Sequence, residues 1–112
     1  MDTIRLPHHR LLAYGVAIEL LRGVKAARIR DAGLRDQALR AAKSACLNCA
    51  EGAGRVSRAD KGRVFGIARA EAGEAAAAVE IAVAAGDADA GALGAVLASA
   101  DRFIAMMTGL IR

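Results

Sequence analysis

Cys46-Leu47-Asn48-Cys49-Ala50-Glu51-Gly52-Ala53-Gly54-Arg55-Val56-Ser57-Arg58-Ala59-Asp60 decides the fold, because it reads as the end of one helix and the start of the next. Gly52 and Gly54 can take the left-handed conformation that ends helices at little steric cost, so a helix should stop within residues 51–54. Ser57, followed three residues later by Asp60, has the pattern of an N-cap whose oxygen satisfies a free amide. The acid adds a favourable charge at the positive end of the helix dipole.

Working outward, Leu39, Ala42 and Cys46 carry a helical pattern back to Leu34, behind a turn at Asp31-Ala32-Gly33. Downstream of Ser57, Val64, Ile67, Ala68, Ala72, Ala75, Val79 and Val83 trace a third helix as far as Gly86, and Asp87-Ala88-Asp89 marks the next turn. Before the first turn, Leu11, Tyr14, Ile18 and Leu21, with Leu12, Val16, Leu20 and Val24, recur at helical spacing. That helix should begin near Pro7, whose missing N-H costs nothing in a first turn. Its apolar band is too wide for one core-facing stripe, so part of it is expected to meet another subunit or a protein partner. Leu93, Val96, Leu97, Ala100, Phe103, Ile104, Met107, Leu110 and Ile111 form a heptad-like stripe on a fourth helix. Four helices with short turns imply an all-α, antiparallel up-down-up-down four-helix bundle in a single domain spanning residues 1–112.

Composition agrees. Of the 112 residues 55% are hydrophobic but only 3% aromatic, with one Pro, which favours helix, a finely divided aliphatic core and neither an all-β nor a disordered chain. Glu80, Asp87 and Asp89 interrupt the apolar run from 75 to 100, so it does not read as a membrane span. The N-terminus lacks a continuous apolar stretch of the signal-peptide kind, and two cysteines without an export signal fit a cytoplasmic, reduced protein.

The stretch from Leu39 to Arg55, read as Leu39-Arg40-Ala41-Ala42-Lys43-Ser44-Ala45-Cys46-Leu47-Asn48-Cys49-Ala50-Glu51-Gly52-Ala53-Gly54-Arg55, resembles the signature of a bacterial family of small four-helix bundles. Its members are encoded in intervening sequences of large-subunit ribosomal RNA genes, and a relative is the accessory variability protein of diversity-generating retroelements. The family motif runs approximately R-x-A-x-S-I-P-x-N-I-A-E-G-x-G-R, then S and a helix. Ser44, Asn48, Ala50, Glu51, Gly52, Gly54, Arg55 and Ser57 match it in register, and Glu74 falls where the family's third helix carries a glutamate. Cys46 replaces the motif's Pro and Cys49 an aliphatic residue. The resemblance implies a non-enzymatic, homopentameric bundle that binds nucleic acid.

Ser44, Asn48, Glu51 and Arg55 would form one polar stripe on a continuous helix. The preferred reading is structural: Asn48 and Glu51 hydrogen-bond backbone amides of the glycine turn and fix where the third helix begins. Cys46-Leu47-Asn48-Cys49 matches C-x-x-C, but it lies inside a helix rather than opening one after a strand. His8 and His9 are adjacent rather than at ligand spacing, so two buried structural thiols and no metal are expected. Gly52-Ala53-Gly54-Arg55 lacks the Lys-Ser/Thr pair and the strand of a phosphate loop. No nucleophile, base and orienting carboxylate can be assembled, so no catalytic residue and no cofactor is expected.

Charge points to function. Residues 1–69 hold 14 Lys and Arg against 6 Asp and Glu, whereas residues 70–112 hold 2 against 6. In an up-down-up-down bundle the N-terminus, the second turn and the C-terminus share one end. That end gathers Arg5, Arg10, Arg55, Arg58, Lys61, Arg63, Arg102 and Arg112 against Asp2, Glu51, Asp60 and Asp101. The other sets Lys25, Arg28, Arg30 and Arg35 against Asp31, Asp36, Asp87 and Asp89. The expectation is a ring-forming accessory or scaffold protein that contacts RNA or DNA backbones through its basic end, chiefly Arg5, Arg10, Arg55, Arg58, Lys61 and Arg63. With so few aromatics it would have weak sequence selectivity. The alternative is a protein-protein module using the surplus apolar face of helix one.

Overall fold

The computed structural model describes residues 3–112 and is built of four α-helices: α1 (Leu12–Ala26), α2 (Ala32–Gly54), α3 (Arg58–Ala84) and α4 (Leu93–Ile111). No strand occurs among the described residues. The helices pack as an antiparallel bundle in which α2 and α3 share the most extensive interface and α4 packs against both α3 and α1. More than half of the buried hydrophobic side chains are alanines. On α2 the buried positions are Ala38, Ala41, Ala42, Ala45, Cys46, Cys49 and Gly52, and on α3 they include Ala68, Ala72, Ala75 and Ala76. Small residues at intervals of three and four let the two backbones approach closely, while Leu20, Val79, Val96, Phe103 and Met107 supply bulk elsewhere.

Local chemistry sets the helix limits. Ser57 Oγ accepts from Asp60 N at 3.1 Å, giving α3 the cap that the sequence indicates. Asp31 Oδ2 accepts from Leu34 N at 2.9 Å and caps α2. Ala32 and Gly33 are therefore the first turn of that helix, not part of the preceding loop. α3 ends in a Schellman arrangement, with Gly86 at φ +76°, Asp87 N donating to Ala82 O at 2.8 Å and Gly86 N to Val83 O at 3.0 Å. α1 begins later than Pro7 suggests. Pro7–Arg10 is one separate 3-10 turn, held by Leu6 N donating to His9 Nδ1 at 3.0 Å, and the extended Leu11 divides it from α1.

The surplus apolar face of α1 is narrower than its sequence implies. Ala13, Val16, Ala17, Leu20 and Val24 are buried, and Leu11, Tyr14, Ile18 and Leu21 are half-buried against the core, leaving Leu12 at 83% exposure. Leu12 borders a shallow cleft of about 340 Å³ between the start of α1 and the end of α4, lined also by Arg10, Met106 and Leu110. One helical stretch among the described residues, Ala90–Ile111, is long and apolar enough to cross a membrane by length and composition alone. It carries Asp101 and Arg102 and buries Val96, Ala100, Phe103 and Met107 in the bundle.

Candidate functional site

Both the polar motif and most of the expected basic residues lie at or near the α2–α3 junction, but the structure uses them differently from the sequence reading. α2 continues in helical conformation through Gly52 to Gly54, and neither glycine is left-handed. Gly52 serves packing instead: a Cβ there would lie 2.7 Å from Cδ1 and Cε1 of the buried Phe65 ring. The chain leaves the helix through Arg55, which is extended at φ −72° and ψ 151°. The last carbonyls of α2 are met by a side chain from α3, with Lys61 Nζ donating to Ala53 O at 2.9 Å and to Gly52 O at 3.3 Å. An amine at this position satisfies the Ala53 carbonyl that the helix end leaves open, adds a second donor to Gly52 O beside the Arg55 amide at 3.2 Å, and complements the negative end of the dipole.

Asn48 and Glu51 do not bond the turn amides. Asn48 Nδ2 donates one turn back, to Ser44 O at 2.9 Å and Ser44 Oγ at 3.0 Å. Glu51 pairs with Arg55, whose Nη2 lies 2.7 Å from Oε2. The turn amides fall to other partners because helical geometry persists to Gly54, so these side chains still project along the helix flank. Arg55 Nη1 also reaches Asp60 Oδ2 at 3.3 Å, and Arg63 Nη2 approaches Asp60 Oδ1 at 2.9 Å. The result is a chain of charges, Glu51–Arg55–Asp60–Arg63, that ties the last turn of α2 to the first turn of α3. The hydrogen bond from Arg63, with the nearby Arg55 charge, holds the Asp60 carboxyl below its ordinary range, while Glu51 and Asp60 raise Arg55 above its own.

Of the six basic residues expected to meet nucleic acid, Arg55 and Arg63 are thus engaged with carboxylates and Lys61 with carbonyls. Arg5, Arg10 and Arg58 are exposed and have no carboxylate within ion-pair distance among the described residues, and the same holds for Arg112. Arg102 is drawn away from the end, 3.7 Å from Glu19 midway along α1. Asp2, counted with this end, lies outside the described residues.

Arg40 is a residue whose part the sequence reading did not single out. It lies within the motif stretch on α2 and bridges to α3, with Nη1 3.0 Å from Glu71 Oε2 and Nη2 paired with Glu74. The signal was two glutamates three residues apart on α3, which place two acids on one helix face. Cys46 and Cys49 are free and buried, at 7% and 0% exposure, and burial pushes the Cys49 thiol up to about 11. No group of three or more His, Cys, Asp or Glu side chains able to hold a metal occurs among the described residues. His8 stacks edge-on against Tyr14, with ring centres 4.7 Å apart, and His9 accepts the Leu6 amide, so neither histidine is paired with a nucleophile.

A family model described as 23S rRNA-intervening sequence protein matches residues 12–109, which takes in all four helices except the last two residues of α4. That description names no enzymatic activity. No curated protein matches the chain.

Proposed function

The chain belongs to the 23S rRNA-intervening sequence protein family, and from that premise we propose that it is a non-enzymatic accessory or scaffold protein of the cytoplasm. In this reading it assembles into a ring, a pentamer on the family resemblance, and holds nucleic-acid backbones at the end carrying the N-terminus and the α2–α3 junction. The observation that carries the reading is the group Arg5, Arg10, Arg58 and Arg112, exposed and without carboxylate partners among the described residues. Unpaired guanidinium groups are available to phosphate oxygens without first breaking an ion pair. Repetition around a ring would turn weak contacts into avidity. Arg55 and Arg63 support the site by fixing the junction, and Lys61 by closing the end of α2.

Titration of labelled RNA and DNA, single- and double-stranded, across a salt series tests this, because phosphate contacts make affinity fall steeply as salt rises. Arg10→Gln with Arg58→Gln should weaken binding about tenfold and flatten the salt slope. An absence of binding at low salt would overturn the nucleic-acid role. The cleft at Leu12, Met106 and Leu110 favours a second reading, a protein-protein module. A monomer by light scattering, with no nucleic-acid binding, would leave that reading as the better account.

A further inference from the structure

The opposite end of the bundle holds a second cleft, about 170 Å³ in volume, lined by Val24, Lys25, Arg28, Ile29, Arg35 and Leu39. Half of its lining is cationic and none is acidic. Among the described residues the Lys25 and Arg28 side chains have no hydrogen bond or ion pair, and Arg35 reaches only the carbonyls of Ile29 and Arg30, each at 3.4 Å.

Arg28 also has φ +51°, the left-handed conformation that is strained for any residue with a Cβ. The turn demands it. Ala27 O accepts from Asp89 N at 2.8 Å and Arg30 N donates to Asp87 O at 2.7 Å, while Ile29 between them is driven into the core at 3% exposure. A glycine would meet that demand without strain, and the adjacent turn uses one, Gly86 at φ +76°. The chain instead keeps an exposed arginine at a strained position, lining the cleft with two further cations. Strain retained at one residue beside a cleft points to use of its side chain.

We propose that this cleft binds the phosphate group of a small phosphate monoester. The guanidinium groups of Arg28 and Arg35 offer paired donors to the phosphate oxygens, and the Lys25 ammonium adds a point charge. Val24, Ile29 and Leu39 form an apolar wall for the attached carbon atoms. The volume equals that of on the order of six water molecules, which accommodates a phosphate with a few carbons of a sugar but no nucleobase. Three cations match a dianionic monoester better than the single charge of a phosphodiester, so this site is separate from the backbone-binding end and does not depend on it.

The test is an amide-shift NMR titration of the full chain at low ionic strength with ribose 5-phosphate, inorganic phosphate and dimethyl phosphate. Ribose 5-phosphate should give saturable shifts centred on Val24, Ile29 and Leu39. Inorganic phosphate should shift the same residues more weakly, and dimethyl phosphate should leave them unmoved. Arg28→Gly keeps the backbone conformation accessible and should weaken ribose 5-phosphate at least tenfold with the melting temperature unchanged or raised. Arg69→Gln, on α3 beside Thr108 of α4 and away from both ends' sites, should bind ribose 5-phosphate as the unaltered chain does. Wild-type affinity in Arg28→Gly, non-saturating shifts spread over the surface, or inorganic phosphate and dimethyl phosphate binding as tightly as the ester would each overturn the proposal.

Discussion

Gly52 lies against the ring of Phe65 so closely that a methyl group on its Cα would sit 2.7 Å from two ring carbons. The ring belongs to α3, is 3% exposed and is enclosed by the core, so it has little room to retreat. This contact sets the separation of α2 and α3 at the end where the candidate nucleic-acid interface lies.

Gly52→Ala should therefore destabilise the fold. Overpacking costs about 1–3 kcal/mol, against a gain of about 1 kcal/mol in helix propensity, and urea denaturation should show a net loss. Gly15→Ala on α1, where a Cβ meets nothing within 4 Å, should instead stabilise by about 0.5–1 kcal/mol. A loss at both positions would mean that backbone effects, not the ring, govern Gly52.

The junction should weaken in acid. Because Arg63 and Arg55 lower the Asp60 carboxyl in the folded chain, its contribution is fully present above the ordinary value of 3.8 and is lost as pH falls through the lowered value. The stability difference between the natural chain and Asp60→Asn should be constant at neutral pH and shrink as pH falls below 3.8. A difference that persists undiminished in acid would place its source in the Asp60 side chain's shape instead of its charge.

The thiols should be inert while the protein is folded. With Cys49 pushed up to about 11 and Cys46 also raised by burial, the reactive thiolate of Cys49 is on the order of one part in ten thousand at pH 7. A thiol reagent should label both cysteines only on unfolding. Cys46→Ala with Cys49→Val should preserve helicity and cost about 1.5 kcal/mol or less, and rapid labelling of the folded chain would contradict the buried placement.

Arg40→Ala should have a small effect despite joining α2 to two glutamates of α3. Its side chain is 57% exposed, and pairs open to solvent contribute little because water screens them. High salt should erase the difference between Arg40→Ala and the natural chain. A difference that survives molar salt would show that the arginine's carbon stem, and not its charge, packs the two helices together.

The sequence by itself determined the four helices, the Ser57–Asp60 cap, the Gly86 turn and the buried thiols, because each depends on residues within about one helical turn of one another. Apolar periodicity and capping chemistry are written locally. Tertiary structure decided the rest. Gly52 reads as a helix stop until α3 brings Phe65 against it, and eight cations grouped at one end look alike until the rotation of α2 against α3 pairs Arg55 and Arg63 with Asp60 and turns Lys61 to two carbonyls. Arg28 looks like one more surface charge in a balanced loop. Only the clamp between Ala27, Arg30 and the α3–α4 connection forces its backbone left-handed and sets it beside Lys25 and Arg35. These outcomes depend on helix register and rotation, which arise from packing over the whole bundle and so leave no local trace in the chain.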